Sequence, residues 1–121
     1  MARYHPGMER KQWLYVTRLT RPDMLTTGPT AAEQATVSRH AAHCDAMGKA
    51  GVMLMVGRTQ IAGPETMGLC VFLAKDEAEA RRIMESDPAI NEGVMRGELF
   101  PYRIAFGNAE GFATALEAAA G

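Results

Sequence analysis

The chain is poor in several residue types, and each shortage excludes a class of protein. Its 121 residues include two cysteines, Cys44 and Cys70, and no Cys-x-x-Cys pair. Thiols so far apart in sequence argue against a disulfide scaffold and against a zinc knuckle. We therefore expect both cysteines to be small, buried apolar residues.

An excess of one charge and a long hydrophobic run are also missing. Lys and Arg number 13 against 14 Asp and Glu, so we expect no basic surface that follows a phosphate backbone. The apolar stretches, residues 52–56 among them, are far below the roughly 20 residues that span a bilayer. Residues 1–6 lack the apolar region of a signal peptide. We expect a soluble, cytoplasmic protein with neither nucleic acid nor membrane as a partner.

Strand and helix signals alternate along the chain. Thr30-Ala-Ala-Glu33 is a capping box that predicts the start of a helix, because the Thr30 hydroxyl can accept from the Glu33 amide while the Glu33 carboxylate reaches back. Pro101 cannot donate to a ladder, so we expect a bulge, break or edge position in the last strand. The predicted elements are strands at 12–20, 52–58, 68–74 and 94–106 and helices at 30–50, 76–86 and 109–119.

This order of elements predicts one α+β domain, residues 1–121, with a core of about 12–106. β-α-β-β-α-β is the ferredoxin-like arrangement, in which two helices cover one face of a four-stranded antiparallel sheet. Residues 52–56 and 69–73 are apolar on both faces of their strands, whereas a face that met water would alternate with polar residues. We therefore predict a homodimer whose second faces pack sheet to sheet.

The first predicted helix carries two histidines on its apolar side. At about 100° per residue, His40, His43 and Cys44 fall in one sector that faces the sheet, together with Val37 and Met47. A buried imidazole needs a hydrogen-bond partner, so His40 is either a structural residue bonded to a backbone carbonyl or a pocket residue. For His43, nearer the edge of the sector, the structural interpretation is favoured.

The same positions make a poor metal site. His40, His43 and Cys44 share a helical face, but Asp45 projects to the polar side. No second cluster of ligands is evident in the sequence to complete a coordination shell. We therefore expect no bound metal.

Three further residues have both a structural and a functional interpretation. Asp87 before Pro88 is a preferred helix cap, but a carboxylate there could also orient an imidazole as a general acid/base pair. Arg58, at a strand end after Gly57, could bind a ligand carboxylate or enolate with paired donors, or it could be a surface arginine. Tyr15 could line an apolar pocket or fill the core.

Together these motifs resemble the YciI (YCII-related) family of small dimeric α+β barrel proteins. The resemblance rests on His40, separated by ten residues from Gly51, on Asp87-Pro-Ala-x3-Gly93-Val94, and on a closing strand with Phe100-Pro-Tyr102. It covers about residues 12–106. Two features resemble one branch of the family: the loop at 21–30, and Gly57-Arg58-Thr59 where many relatives have Gly-Pro.

The resemblance implies a His–Asp pair in a pocket, here His40 and Asp87. The superfamily includes muconolactone isomerases and a dehydrochlorinase of chlorinated hydroxyquinols, which move protons on oxygenated rings. We therefore predict an isomerase or lyase that needs no cofactor and acts on a small oxygenated molecule, with Arg58, His43 and Tyr15 as candidate substrate-binding residues. The alternative is a dimer without catalytic activity that binds a small molecule or has a structural role.

Overall fold

The computed structural model describes residues 9–120. The four predicted strands and three predicted helices follow one another in the predicted order, and the structure adds a 3-10 turn, Pro22–Leu25, after the first strand and a one-turn helix, Pro88–Asn91, after the second long helix. The elements are β1 (Lys11–Leu19), α1 (Ala31–Lys49), β2 (Met53–Arg58), β3 (Gly68–Ala74), α2 (Glu77–Ser86), α3 (Pro88–Asn91), β4 (Met95–Pro101) and α4 (Ala109–Ala120). The amino-terminal stretch considered above for a signal peptide lies outside the described residues.

The strands form one antiparallel sheet in the order β2-β3-β1-β4. The core lies between one face of this sheet and helices α1 and α2, with Tyr15 and Phe72 fully buried at its centre and their rings in edge-to-face contact. The predicted fold class, an α+β ferredoxin-like domain with a four-stranded antiparallel sheet, is confirmed. Every described helix is too short or too polar to cross a membrane.

Helix α1 begins where the capping box placed it. Thr30 accepts a hydrogen bond from the Glu33 amide, and the Glu33 carboxylate accepts one from the Thr30 amide. Arg21 in the preceding loop also binds Glu33, and its hydrogen bonds lower the pKa of Glu33 to about 2. The helix ends at Lys49 with Ala50 as its cap, and the φ of 76° at Gly51 lies in the left-handed region that favours glycine.

The last strand is shorter than predicted. We expected it to reach residue 106, but β4 ends at Pro101, because proline has no N–H to continue the ladder. Beyond it the backbone is held to β1 by Gln12, whose carbonyl accepts from the Tyr102 amide. The pairing of β2 with β3 shifts register between Met53 and Met55. No turn residue in the sequence predicted this shift.

The sheet face away from the helices is largely apolar. Because Tyr15 and Phe72 point to the helices, alternation places their strand neighbours on the opposite face. There Met55 is 41% exposed and Phe100 is 38% exposed. The other apolar residues on this face are Leu14, Val16, Leu69, Val71 and Leu73.

Gly97 sets how closely α2 and α3 approach the sheet. A Cβ added there would lie 2.6 Å from the Ile90 Cδ1 and 2.9 Å from the Met84 Sδ. Met84 lies near the end of α2 and Ile90 within α3, so these contacts fix the segment between the two helices. Gly107, in contrast, has no atom within 4 Å of an added Cβ.

We predict that Gly97→Ala lowers the free energy of unfolding by about 1 kcal/mol, the low end of the usual effect of overpacking a core, because the flexible ends of Ile90 and Met84 can shift to admit the added Cβ. Gly107→Ala is the matched control and should stay within about 0.5 kcal/mol of the wild type. Urea unfolding followed by circular dichroism measures both. An unchanged midpoint for Gly97→Ala would show that the contact is not tight.

Candidate functional site

Asp87 occupies the junction between α2 and α3 and is fully buried. It is the C-terminal cap of α2 and the N-terminal cap of α3, and its Oδ1 accepts a hydrogen bond of 2.9 Å from the Ala89 amide. The following Pro88 suits the first turn of a helix because its missing N–H is not needed there. The capping interpretation of Asp87-Pro88 is therefore confirmed.

The same carboxylate binds the imidazole of His40. The His40 Nδ1 lies 2.8 Å from Oδ1 and 2.9 Å from Oδ2 of Asp87. The side chain of His40 is 16% exposed and that of Asp87 is 0% exposed, so only the histidine can reach solvent or a ligand. The two residues that the resemblance paired thus form a hydrogen-bonded ion pair, with Nε2 left on the far side of the ring.

Tyr15 completes the environment of the carboxylate from the sheet side. Its hydroxyl donates a hydrogen bond of 2.7 Å to the Asp87 Oδ2. Asp87 therefore accepts from three elements at once, β1, α1 and α3. A buried carboxylate with this many donors is satisfied without water.

The proton equilibria of the pair follow from these contacts. The hydrogen bond to Asp87 raises the pKa of His40 to about 10, against the opposing effect of burial. Burial acts to raise the pKa of Asp87, but the hydrogen bonds from His40 and Tyr15 outweigh it and lower the pKa. Burial also raises the pKa of Tyr15. At neutral pH the site therefore holds an imidazolium, a carboxylate and a neutral phenol.

Cys44 lies beside the imidazole, one helical turn after His40. Its Sγ is 3.8 Å from Nδ1 and 3.9 Å from Nε2. A hydrogen bond with Cys70 lowers the pKa of Cys44 to about 5, burial opposes this, and His40 adds to the lowering. The expectation of a buried apolar cysteine fits Cys70, which is 1% exposed, but it is wrong for Cys44, which is half-buried and polar in its contacts.

The donor atoms of His40, Cys44 and Asp87 lie within 4.8 Å of one another. Both oxygens of Asp87 already accept hydrogen bonds from the protein. A metal shared by His40 and Cys44 would sit in the ring plane beyond one nitrogen, whereas the Cys44 Sγ is almost equidistant from both nitrogens. The cluster is therefore arranged as a hydrogen-bonded group, and a metal would have to rearrange it.

A polar cluster of Thr36, Arg39 and Glu92, which we call the latch, holds α1 against α3. It thereby sets the distance between His40 and Asp87. The Thr36 hydroxyl donates a hydrogen bond of 2.7 Å to Glu92, just after α3, and Arg39 pairs with the same carboxylate. Sequence reasoning missed this latch, because residues 36 and 92 are far apart in the chain and neither belongs to a recognisable motif.

His40 opens into a cavity of about 550 Å³, within the range typical of small-molecule sites. The cavity lies between α1, the helix-facing side of the sheet and the loop that contains the 3-10 turn. Its walls are mainly apolar, and the loop contributes Met24, Leu25 and Pro29. The polar residues among the lining are Thr17, Gln34, His40, Arg58, Thr66 and Cys70.

The structure brings some of the predicted substrate-binding residues to this cavity. Arg58 lines it, but Tyr15 and His43 are not among its lining residues. Tyr15 lies behind Asp87, and the buried Nε2 of His43 has no hydrogen-bond partner among residues 9–120. Sequence reasoning missed Gln34, which the helical spacing placed on the polar side of α1.

Known proteins match this architecture. Residues 14–102 match the YCII-related domain family. The 5-chloro-2-hydroxyhydroquinone dehydrochlorinase of Burkholderia phenoliruptrix AC1100, solved with 2,5-dihydroxybenzoquinone, is 18% identical at a TM-score of 0.50 and covers 75% of this chain and 93% of its own. The cofactor-independent oxygenase SnoaB of Streptomyces nogalater is 11% identical at a TM-score of 0.39, with 83% and 99% covered. No functionally curated protein matches the sequence.

The fold is thus a ferredoxin-like α+β fold with a four-stranded antiparallel sheet. The family match spans most of the chain, and the resemblance drawn from the motifs is confirmed. The protein belongs to the YCII-related domain family.

The ion pair makes stability depend on pH. The pKa of His40 is about 10 in the folded protein against 6.5 for an ordinary histidine, so the folded state binds more protons between these limits. We predict that the stabilisation from His40 is complete below about pH 6.5 and is lost as pH rises towards about 10. Urea unfolding of the wild type and His40→Gln across this range measures it. Equal pH slopes for the two proteins would contradict the prediction.

Proposed function

We propose that this protein is a cofactor-independent isomerase or lyase in which the His40–Asp87 pair transfers a proton to and from a small oxygenated substrate. The observation that carries the proposal is the geometry of the pair. A fully buried carboxylate holds the Nδ1 of an imidazole whose ring lines a cavity and whose Nε2 has the Cys44 Sγ beside it at 3.9 Å. This is the arrangement that general acid/base catalysis requires.

The raised pKa of His40 determines the direction of the first proton transfer. Because the resting group is an imidazolium, His40 acts first as an acid. It donates the Nε2 proton to a substrate oxygen, or stabilises negative charge that develops there, and takes the proton back when the product forms. A substrate that is already an enolate or phenolate suits this order of events, because it needs no base to begin.

Asp87 and Tyr15 are positioning residues in this scheme. Asp87 fixes the ring through Nδ1, so that Nε2 carries the mobile proton. Tyr15 donates a hydrogen bond to Asp87 from the sheet side and keeps the carboxylate from rotating towards the cavity. Arg58, on the cavity wall, binds fixed or developing negative charge.

The class of substrate is taken from the chemistry of a protein of similar fold. The Burkholderia dehydrochlorinase acts on a chlorinated hydroxyhydroquinone and was solved with 2,5-dihydroxybenzoquinone. An oxygenated ring of that size suits the mainly apolar cavity of about 550 Å³. We therefore favour oxygenated ring compounds as the first substrates to test.

The alternative function is binding without turnover. The observation in its favour is the apolar lining, which would retain a small molecule whether or not a proton moves. In that case the His40 imidazolium is a hydrogen-bond donor to the ligand.

His40→Gln tests the proposal, because glutamine can keep a hydrogen bond to Asp87 but cannot carry the proton. We expect turnover of a substrate found in a panel of hydroxyquinones, enols and lactones to fall by about 10²–10⁴, with the fold retained by circular dichroism. His43→Gln is the matched control, since His43 lies on the same helix but not on the cavity, and it should keep near wild-type activity. Full activity in His40→Gln would refute the proposal.

We also propose that the protein is a homodimer through the outer face of the sheet. That face carries a continuous set of apolar residues, with Met55 and Phe100 well exposed, and sheet-to-sheet packing against a second copy would bury them. It lies opposite the helix-facing side that His40 and the cavity occupy.

Met55→Asp should convert the dimer to a monomer, because it places a charge on the proposed interface. Ala42→Asp introduces the same charge at an exposed position of α1 and should leave the mass unchanged. Light scattering coupled to size-exclusion chromatography measures both. A dimeric Met55→Asp, or a monomeric wild type, would contradict this interface.

A further inference from the structure

The cavity has an uneven distribution of charge. Two cationic side chains, Arg58 and His40, line it, and none of its described lining residues is acidic. The remaining wall is mainly aliphatic side chains and methionine. Asp87 offsets the charge of His40, whereas no described carboxylate pairs with Arg58. An apolar cavity with one uncompensated positive charge favours an organic anion over a neutral or cationic molecule.

Arg58 has no partner among residues 9–120. Arg21, Arg39 and Arg81 each pair with a glutamate, whereas no described residue forms an ion pair or hydrogen bond with Arg58. Its guanidinium therefore keeps its donors for a ligand, and paired donors match the two oxygens of a carboxylate.

A second polar group near Arg58 is also unpartnered. The side chain of Thr17 lines the cavity, is 5% exposed and has no hydrogen-bond partner among the described residues. The cavity floor is close-packed at this point, because a Cβ on Gly68 would lie 2.4 Å from the Thr17 Oγ1. Among residues 9–120 the buried side-chain polar atom without a partner is the His43 Nε2, so the Thr17 hydroxyl is open to the cavity, where a ligand oxygen can pair with it.

The strand register separates this group from the His40–Asp87 pair. Arg58 and Thr17 lie on either side of Gly68, in one row across β2, β3 and β1. Cys70 and Tyr15 form the next row on the same face. The Tyr15 hydroxyl donates a hydrogen bond to Asp87 from this row. Two residues of strand separate the rows, which is roughly 7 Å, about the length of a six-membered ring with one substituent.

We infer that the substrate of this cavity is an apolar organic acid. Its carboxylate, or an equivalent anionic group, pairs with Arg58 and accepts from the Thr17 hydroxyl, while its reacting oxygen lies against the His40 Nε2. Its apolar body packs under Met24 and Leu25 of the loop. This inference deepens the proposed function and rests on it, because it names the substrate class for the same cavity.

A pair of probes with one shape and different charge tests the inference on the full-length protein at neutral pH. 2-Naphthoate carries a carboxylate where 2-naphthamide carries a neutral amide. We expect NMR titration to give a dissociation constant for naphthoate that is lower by about tenfold or more, as for a hydrogen-bonded ion pair. The Arg58 and Thr17 resonances should shift in the naphthoate titration.

Variants of Arg58 then assign the preference to this residue. Arg58→Gln should weaken naphthoate binding by about tenfold and leave naphthamide unchanged, and Arg58→Lys should fall between because it lacks the paired donors. Arg82→Gln removes the same charge from an exposed position of α2 and is the matched control. Arg58 is exposed, so its variants should fold, which thermal unfolding verifies.

The outcomes separate this inference from the enzyme proposal. Equal affinity for the two probes, or a preference that survives in Arg58→Gln, would overturn the substrate class even if His40-dependent turnover were found. A preference that disappears in Arg58→Gln supports the substrate class, and it does so even if the protein turns over none of the acids tested. In that last case only the proposed catalytic activity fails.

Discussion

The buried charge of Asp87 is the constraint on which the rest of the structure depends. A carboxylate removed from water is costly unless hydrogen bonds and an opposite charge compensate it. Here β1 supplies a phenol from Tyr15, α1 supplies the His40 imidazolium, and α3 supplies a backbone amide. The packing of these elements and the geometry of the site are therefore consequences of the same requirement, and neither can be set independently of the other.

Local signals carried the sequence-based prediction furthest. Thr30 and Glu33 are close in the chain and act through one helical turn, so their pattern predicts their contact. Asp87 before Pro88 was assigned two alternative roles, and in the structure one side chain both caps the helices and binds His40. The role of Tyr15 was harder to predict, because strand alternation gives the face on which a residue lies but not whether its side chain contacts a ligand or another side chain.

The remaining differences between the sequence-based predictions and the structure arise from the tertiary arrangement of the chain. Gln34 lies on the polar side of α1, yet it lines the cavity because the loop before the helix extends that cavity beyond the apolar stripe. The latch of Thr36, Arg39 and Glu92 joins residues more than fifty positions apart, and no single-sequence pattern reports such a distance. The sequence-based prediction extended β4 past Pro101 because apolar residues continue to 106, whereas the hydrogen-bonded ladder with β1 ends at Pro101.

The two ends of the cavity differ in how freely they can diverge among descendants of one ancestor. Substituting Asp87 removes two helix caps and an ion-pair partner together, so the requirement for a folded chain alone would preserve the end of the cavity at His40 and Asp87. No helix cap or ion pair among residues 9–120 depends on the side chains of Met24 and Leu25 in the loop, or on that of Arg58 in the edge strand β2. Substitutions at that end are therefore compatible with the fold, while the His40–Asp87 pair is retained together with it.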